Sequence, residues 1–256
     1  MKTALMLSTA FVTTRPDIPE RERRIRQYVD GFRQVAELSE KYPCFDVFSV
    51  DNTVENPAQL DARLTEALDS IPALKGKFHF WDNDTGRINK GSGLIAQWGH
   101  ALPDLVGKYD YTVHYEPRQQ LVNLSFFERM DTHPAAYICA YRDKLKLYGV
   151  LPMTLPRFWT GLFSMRTPDL LEYVRSADRG VLTTLEDYRK RPLFRYARQR
   201  LLPGWLAEMS ECIESDLPRY VRRHEIRFVG VAALGTRWHE EATGNWVDMV
   251  DRLFDH

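Results

Sequence analysis

Four short apolar runs, each ending in polar residues and each separated by a stretch of helical periodicity, constrain the first half of this chain more than any other feature. Thr3 to Val12 is rich in apolar and β-branched residues and reads as a buried strand. Two prolines in the loop that follows, Pro16 and Pro19, stop any helix before it begins. From Glu20 the period changes, with Ile25, Val29, Phe32, Val35 and Leu38 on one helical face and Glu and Arg on the other. Phe45 to Val50 is the next strand, closed by Asp51-Asn52-Thr53. Asn56-Pro57 predicts a helix start, with Leu60, Leu64, Leu68 and Ile71 as its buried stripe. A third strand is expected over Lys77–Trp81, then the polar loop from Asp82 to Gly93, then a helix carrying Leu94, Ile95, Trp98, Leu102 and Leu105. Tyr109 to Glu116 completes the series as a strand with a polar end.

This strand–helix alternation predicts an α/β fold with a Rossmann-type mixed sheet flanked by helices and a helical C-terminal part. Beyond residue 120 the pattern is mixed. Strands are expected near 137–150, 158–165 and 226–233, and helices near 168–176, 183–200 and 205–222. We read residues 1–256 as a single domain, with 1–120 as a nucleotide-binding half and 121–256 as an acceptor-side half. Sheets of this kind bind ligands at the carboxyl ends of their strands. Thr9 to Arg15, Asp51-Asn52, Asp82 to Lys90 and Glu116 to Arg118 all fall at such ends, so one polar rim is expected.

Several classes are disfavoured. Thirty-five Lys and Arg against 35 Asp and Glu give no bulk positive charge to hold a nucleic acid. Cys44, Cys139 and Cys212 are too few and scattered for a disulfide framework or a metal knuckle, and read as reduced thiols. No run approaches the roughly 18 apolar residues of a spanning helix. The first ten residues lack a convincing h-region and cleavage site. The expectation is a cytoplasmic protein.

The order of these pieces resembles the nucleotide-diphospho-sugar transferases of the GT-A fold, over residues 3 to about 170. Val50-Asp51-Asn52-Thr53 is similar to the family's second-strand pattern, whose acid contacts the nucleoside. Asn89-Lys90-Gly91-Ser92-Gly93 is similar to its Asn-x-Gly-x-Gly helix start. The strand ending in Glu116-Pro117-Arg118 stands where the family carries its metal-binding Asp-x-Asp, and Thr160 to Arg166 looks like the acceptor-side segment. The resemblance implies a glycosyltransferase that moves a sugar from a nucleotide-diphosphate donor to a glycan, lipid-linked or anionic hydroxyl acceptor. Asp51 would bind the nucleoside. Thr9, Asn89, Lys90 and Gly91 would line the donor pocket.

The Asp-x-Asp has become Glu116-Pro117-Arg118, which leaves one carboxylate and puts a cation where the second would be. A hard divalent ion wants several oxygen ligands. A guanidinium pairs bidentately with phosphate oxygens instead. Arg118, with Lys90 or Arg15, would then face the diphosphate without metal, which is the reading favoured here. Mn²⁺ or Mg²⁺ held by Glu116 and His239 is the alternative. For the base at the acceptor hydroxyl the sequence offers Glu186 and Asp187, ranked first, and Glu211 or Glu214 on a later helix. Each could equally be a solvated helix face. Asp51-Asn52 also suits a plain turn, and Glu116 to Arg118 a surface turn. Six basic residues between Arg189 and Arg200, interleaved with Phe194 and Tyr196, suit an anionic acceptor or peripheral membrane contact, or a solvated helix face. A non-catalytic GT-A-like binding or assembly module is the second reading. A nucleotidyltransferase ranks below both, because Ser8 to Arg15 lacks that fold's Gly-rich loop.

Overall fold

The computed structural model describes residues 1–11, 18–54, 56, 58, 60–80, 90–147, 151–177, 213–231, 234–239 and 246–248. Its centre is a five-stranded sheet. The first elements are β1 (Thr3–Thr9), α1 (Ile18–Lys41), β2 (Phe45–Asp51), α2 (Ala62–Asp69) and β3 (Leu74–His79). Then follow α3 (Lys90–Leu105), β4 (Tyr111–Tyr115), β5 (Gln120–Leu121), α4 (Ser125–Thr132) and β6 (Tyr137–Ile138). A hairpin of β7 (Ala140–Leu147) and β8 (Leu151–Phe158) leads to β9 (Leu162–Arg166) and α5 (Thr167–Ala177). The last described elements are α6 (Ile213–Arg223), β10 (Val229–Gly230), β11 (Thr236–His239) and β12 (Trp246–Asp248).

The sheet order is β3-β2-β1-β4-β9. β1, β2, β3 and β4 run parallel, and β9 pairs antiparallel with β4. All seven residues of β1 are buried, because helices cover both faces of the sheet. The period-2 alternation splits that strand between two cores. Leu5 and Leu7 join Tyr28, Phe32, Val35 and Leu38 of α1 with Leu64 and Leu68 of α2. Ala4 and Met6 join Ile95, Trp98 and Leu102 of α3, Tyr173 of α5, and Leu217 and Tyr220 of α6.

The α/β expectation holds, with three local corrections. α2 begins at Ala62, where Asp61 caps it by accepting from the Arg63 N–H at 3.0 Å; Asn56 instead accepts from the Ala58 N–H at 2.9 Å and closes a turn. Helix α4 was not expected from the periodicity. Its eight residues bury Phe126, Phe127 and Met130. The hairpin strand β8 carries Pro152 and Pro156, which disguise it in sequence. It pairs within the described residues only with β7, so the missing N–H groups cost little.

One buried polar group ties the second core to the strand ends. His114 of β4 is fully buried, and its Nδ1 accepts from the Trp98 indole N–H at 3.1 Å. An indole only donates, so Nδ1 carries no proton and the ring is the neutral Nε2–H tautomer. Burial pushes its pKa down to about 3, with the backbone of Thr160 pulling the other way. The unfolded imidazole protonates near 6.5. The stability from this site is therefore whole above about pH 6.5 and is lost as the pH falls toward the folded value. We expect the denaturation midpoint to fall between pH 7 and pH 5. In His114→Gln, less stable at pH 7, that slope should be clearly shallower; an equal slope in both proteins would contradict the assignment.

Candidate functional site

β1 feeds β2 on one side, and the chain later returns to its other edge as β4, so the strand order reverses between β1 and β4. Open α/β sheets bind ligands in the crevice outside such a point. A cleft of about 360 Å³ lies there. Among its lining residues are Thr9, Asn52, Gly91, Gly93, Glu116 and Arg118, so the described parts of the polar strand ends do meet on one rim.

Asp51 lies beneath that rim, with no exposed surface. Its Oδ1 accepts from the Thr53 N–H and hydroxyl, both at 2.7 Å. Its Oδ2 lies 2.9 Å from the Thr9 hydroxyl and accepts from the Phe11 N–H at 2.9 Å. Burial raises its pKa, and the same hydrogen bonds oppose the rise. In this arrangement the carboxylate laces the ends of β1 and β2 together and does not face the cleft. Asn52, next in sequence, does line it. The Asn52 Nδ2 donates to the Gly93 carbonyl at 3.2 Å, which fixes the first turn of α3 against the end of β2.

The Glu116-Pro117-Arg118 turn is held from three directions. The Glu116 N–H donates to the Gly161 carbonyl at 2.9 Å, and the Gln119 N–H donates to the Glu116 carbonyl at 3.0 Å. The Tyr115 hydroxyl donates to the Gln119 carbonyl. From below, α1 passes so close that a Cβ on Gly31 would overlap the Pro117 carbonyl oxygen. The Arg118 guanidinium stands 3.9 Å from the Glu116 carboxylate, both side chains about seven-tenths buried.

A second guanidinium comes from the polar face of α1, a position that helical periodicity marks only as solvated. Arg24 donates to the Ala10 carbonyl at 3.3 Å and lines the cleft beside Tyr28. The Tyr28 hydroxyl accepts from the Ala10 N–H at 2.7 Å. Burial raises the Tyr28 pKa, and both Arg118 and Arg24 act to lower it, so the two cations face the same phenol. Trp159, Thr160 and Gly161 also line the cleft, with Ile213 and Glu214 at the start of α6. Trp159 is fixed by its indole N–H donating to Gln119 Oε1 at 3.2 Å, and Gln119 occupies the space that a Cβ on Gly161 would fill. The Thr160 hydroxyl donates to Glu214 Oε1 at 3.5 Å.

Of the sequence-predicted site residues, Thr9, Gly91, Glu116, Arg118 and Glu214 line this cleft. Lys90 opens α3 and His239 ends β11, their side chains lying outside the described residues. Arg15, Asn89, Glu186, Asp187 and Glu211 lie outside the described residues altogether, as does the basic segment 189–200. Among the described residues no three His, Cys, Asp or Glu side chains gather as a metal-binding group. With Arg118 at 3.9 Å from Glu116, the described donors do not fit a hard divalent cation, which wants several oxygen ligands.

No family model matches the sequence, and no curated protein matches it. Among solved structures, the chain is similar to mouse xyloside xylosyltransferase 1 in its apo form. The TM-score is 0.39 and the identity 10%, over 90% of this chain and 84% of that one. A likeness of that degree assigns no activity.

Gly31→Ala tests the close approach under the Arg118 turn, since the overlapping atom is backbone. We expect a loss of about 1–3 kcal/mol in chemical denaturation, the usual cost of overpacking. A change below about 0.5 kcal/mol, the range of an ordinary surface substitution, would show that α1 and the turn are not in contact as described.

Proposed function

We propose that this chain is a glycosyltransferase of the GT-A type that takes a nucleotide-diphosphate sugar in the β1–β4 cleft and needs no metal ion. The reading is supported above all by one observation: two guanidinia, Arg24 and Arg118, share a cleft with the glycine-bearing first turn of α3 and with the Glu214 carboxylate. Guanidinia and a helix N-terminus are matched to phosphate oxygens. A carboxylate in the same cleft is matched to an acceptor hydroxyl that must lose a proton.

In this reading the diphosphate lies between Arg24, Arg118 and the backbone of Gly91 to Gly93. The bond between the anomeric carbon and the phosphate oxygen breaks, and its electron pair leaves with the nucleoside diphosphate. The two guanidinia stabilise the charge that develops there. The acceptor oxygen bonds to the anomeric carbon, and its proton passes to the Glu214 carboxylate. Glu116 holds Arg118 in place, and Asp51 holds the strand ends that shape the floor. Acceptors of this reading are glycans and lipid-linked or anionic hydroxyl compounds. Among the described residues no helix is long and apolar enough to cross a membrane.

The test is donor hydrolysis and transfer across uridine, guanosine, adenosine, cytidine and thymidine diphosphate sugars, in EDTA and in Mn²⁺. We expect turnover to persist in EDTA. Arg24→Ala and Arg118→Ala should each lower kcat/KM by roughly 10- to 100-fold, the worth of a hydrogen bond to a charged group. Glu214→Gln should lower kcat by about 10²-fold or more with the donor KM little changed. Loss of all turnover in EDTA would overturn the metal-free site, and an unchanged kcat in Glu214→Gln would remove Glu214 as the base. Binding of a diphosphate sugar with no turnover on any acceptor would favour the binding-module reading.

A further inference from the structure

Among the described residues the large apolar side chains left exposed are Met1, Val122, Phe228 and Val229, and the last two are neighbours in the chain. Phe228 is 40% exposed and Val229 46%. They close a stretch that carries Arg219, Arg222, Arg223 and Arg227 against one acid, Glu225. Arg219 pairs with Asp216 at 3.5 Å. Arg222, Arg223 and Arg227 are exposed, and none of the three has a carboxylate at ion-pairing distance among the described residues.

The fold holds this stretch in place. Helix α6 turns its apolar face to the second core, with Ile213, Leu217, Tyr220 and Val221 buried, which leaves its last arginines outward. It then ends in a tight reversal. The Ile226 N–H donates to the Val221 carbonyl at 3.0 Å and the Glu225 N–H to the Arg222 carbonyl at 3.3 Å, with Glu225 in the left-handed region at φ 51°. Ile226 packs against the same core cluster as Val221. The chain next enters β10, where the Val229 N–H donates to the Ala136 carbonyl at 2.7 Å and the Phe228 ring meets Phe158 edge-on at 5.4 Å. The backbone is fixed on both sides of the arginines, so binding here has little ordering cost.

We propose that the Arg222–Val229 surface docks on an anionic phospholipid bilayer. Arg222, Arg223 and Arg227 meet the lipid phosphates, and Phe228 and Val229 enter the headgroup region. Guanidinia pair with phosphate oxygens. An exposed aromatic and aliphatic pair beside them is matched to the boundary between headgroups and acyl chains. A nucleic-acid backbone or an acidic peptide would use the cations and leave Val229 without a partner. The inference goes beyond the transferase reading and does not need it, since none of these residues lines the cleft.

The experiment is co-sedimentation of the full chain with vesicles of phosphatidylcholine, alone or mixed two parts to one with phosphatidylglycerol. We expect binding to the anionic vesicles only, weakened by added salt. The basic segment 189–200 carries charge of its own, so variants make the assignment. The triple variant Arg222→Gln, Arg223→Gln, Arg227→Gln changes exposed positions and should keep its melting temperature. At about fivefold per arginine near an anionic surface, it should bind the vesicles roughly 100-fold more weakly. Val229→Asn should weaken binding by about two- to fivefold, and Glu225→Gln, which removes the acid, should strengthen it.

No wild-type binding to anionic vesicles overturns the proposal, as does a loss of less than about twofold in the triple variant. Unchanged vesicle binding in Val229→Asn, joined with equal binding of the wild type to soluble polyglutamate, also overturns it and gives the surface to an acidic protein. Each of these results leaves the transferase reading standing, because donor hydrolysis is measured without vesicles.

Discussion

Everything at the rim of this sheet depends on a carboxylate that touches no solvent. Asp51 meets donors at Thr9, Phe11 and Thr53, so the last residues of β1 and β2 leave the sheet as one unit. A buried carboxylate is tolerated only when its oxygens are satisfied. Here the satisfaction fixes where Asn52 and Thr9 stand. Those two residues in turn fix Gln97, through bonds to its amide nitrogen. The cleft wall is thus set by a polar network rooted in the core, while the two apolar clusters on either side hold the helices that complete it.

The opposite end of the cleft is built by close approach. Gly31 lets α1 run against the Pro117 carbonyl, and the same helix delivers Arg24 and Tyr28 two turns and one turn earlier. Arg118 arrives from the turn itself. Two cations from separate elements share one buried phenol as neighbour, and such a pair is matched to a ligand that brings two or more negative oxygens. At that turn the Glu116 carboxylate already has the Arg118 guanidinium beside it.

The layout of the first half could be read from the chain because it is local. Period-2 runs with polar ends and a period-3.6 stripe specify strands and helices without knowledge of the fold, and the strand ends then point to the rim. That was enough to bring Thr9, Gly91, Glu116 and Arg118 to one cleft. Other positions depend on long-range geometry. Arg24 sits on what reads as a solvated face of α1, and only the return of the chain at Ala10 turns it into cleft wall. Trp159 comes from an element far along the chain that the fold brings back, as does Glu214, one of several carboxylates the sequence offered as a base and the one the cleft takes in. For Asp51 the sequence shows the turn-forming pair, to which the resemblance adds a nucleoside contact, and neither shows the donors at Thr9, Phe11 and Thr53 around the carboxylate. Two residues depart from the local pattern: a lone Gln97 within the apolar stripe of Leu94, Ile95 and Trp98, and a glycine, Gly31, inside the long helix α1. Each costs helix or core stability unless something needs it.

We propose that the β1–β4 cleft takes a nucleoside diphosphate through protein cations alone. Backbone amide chemical shifts during titration with nucleoside diphosphates in EDTA test it most directly. For at least one base the largest changes are expected at Ala10, Gly91, Gly93 and Gly161, the amides around the two guanidinia and the start of α3. No change with any base, or changes confined to the far end of the sheet around Gly107, would contradict it.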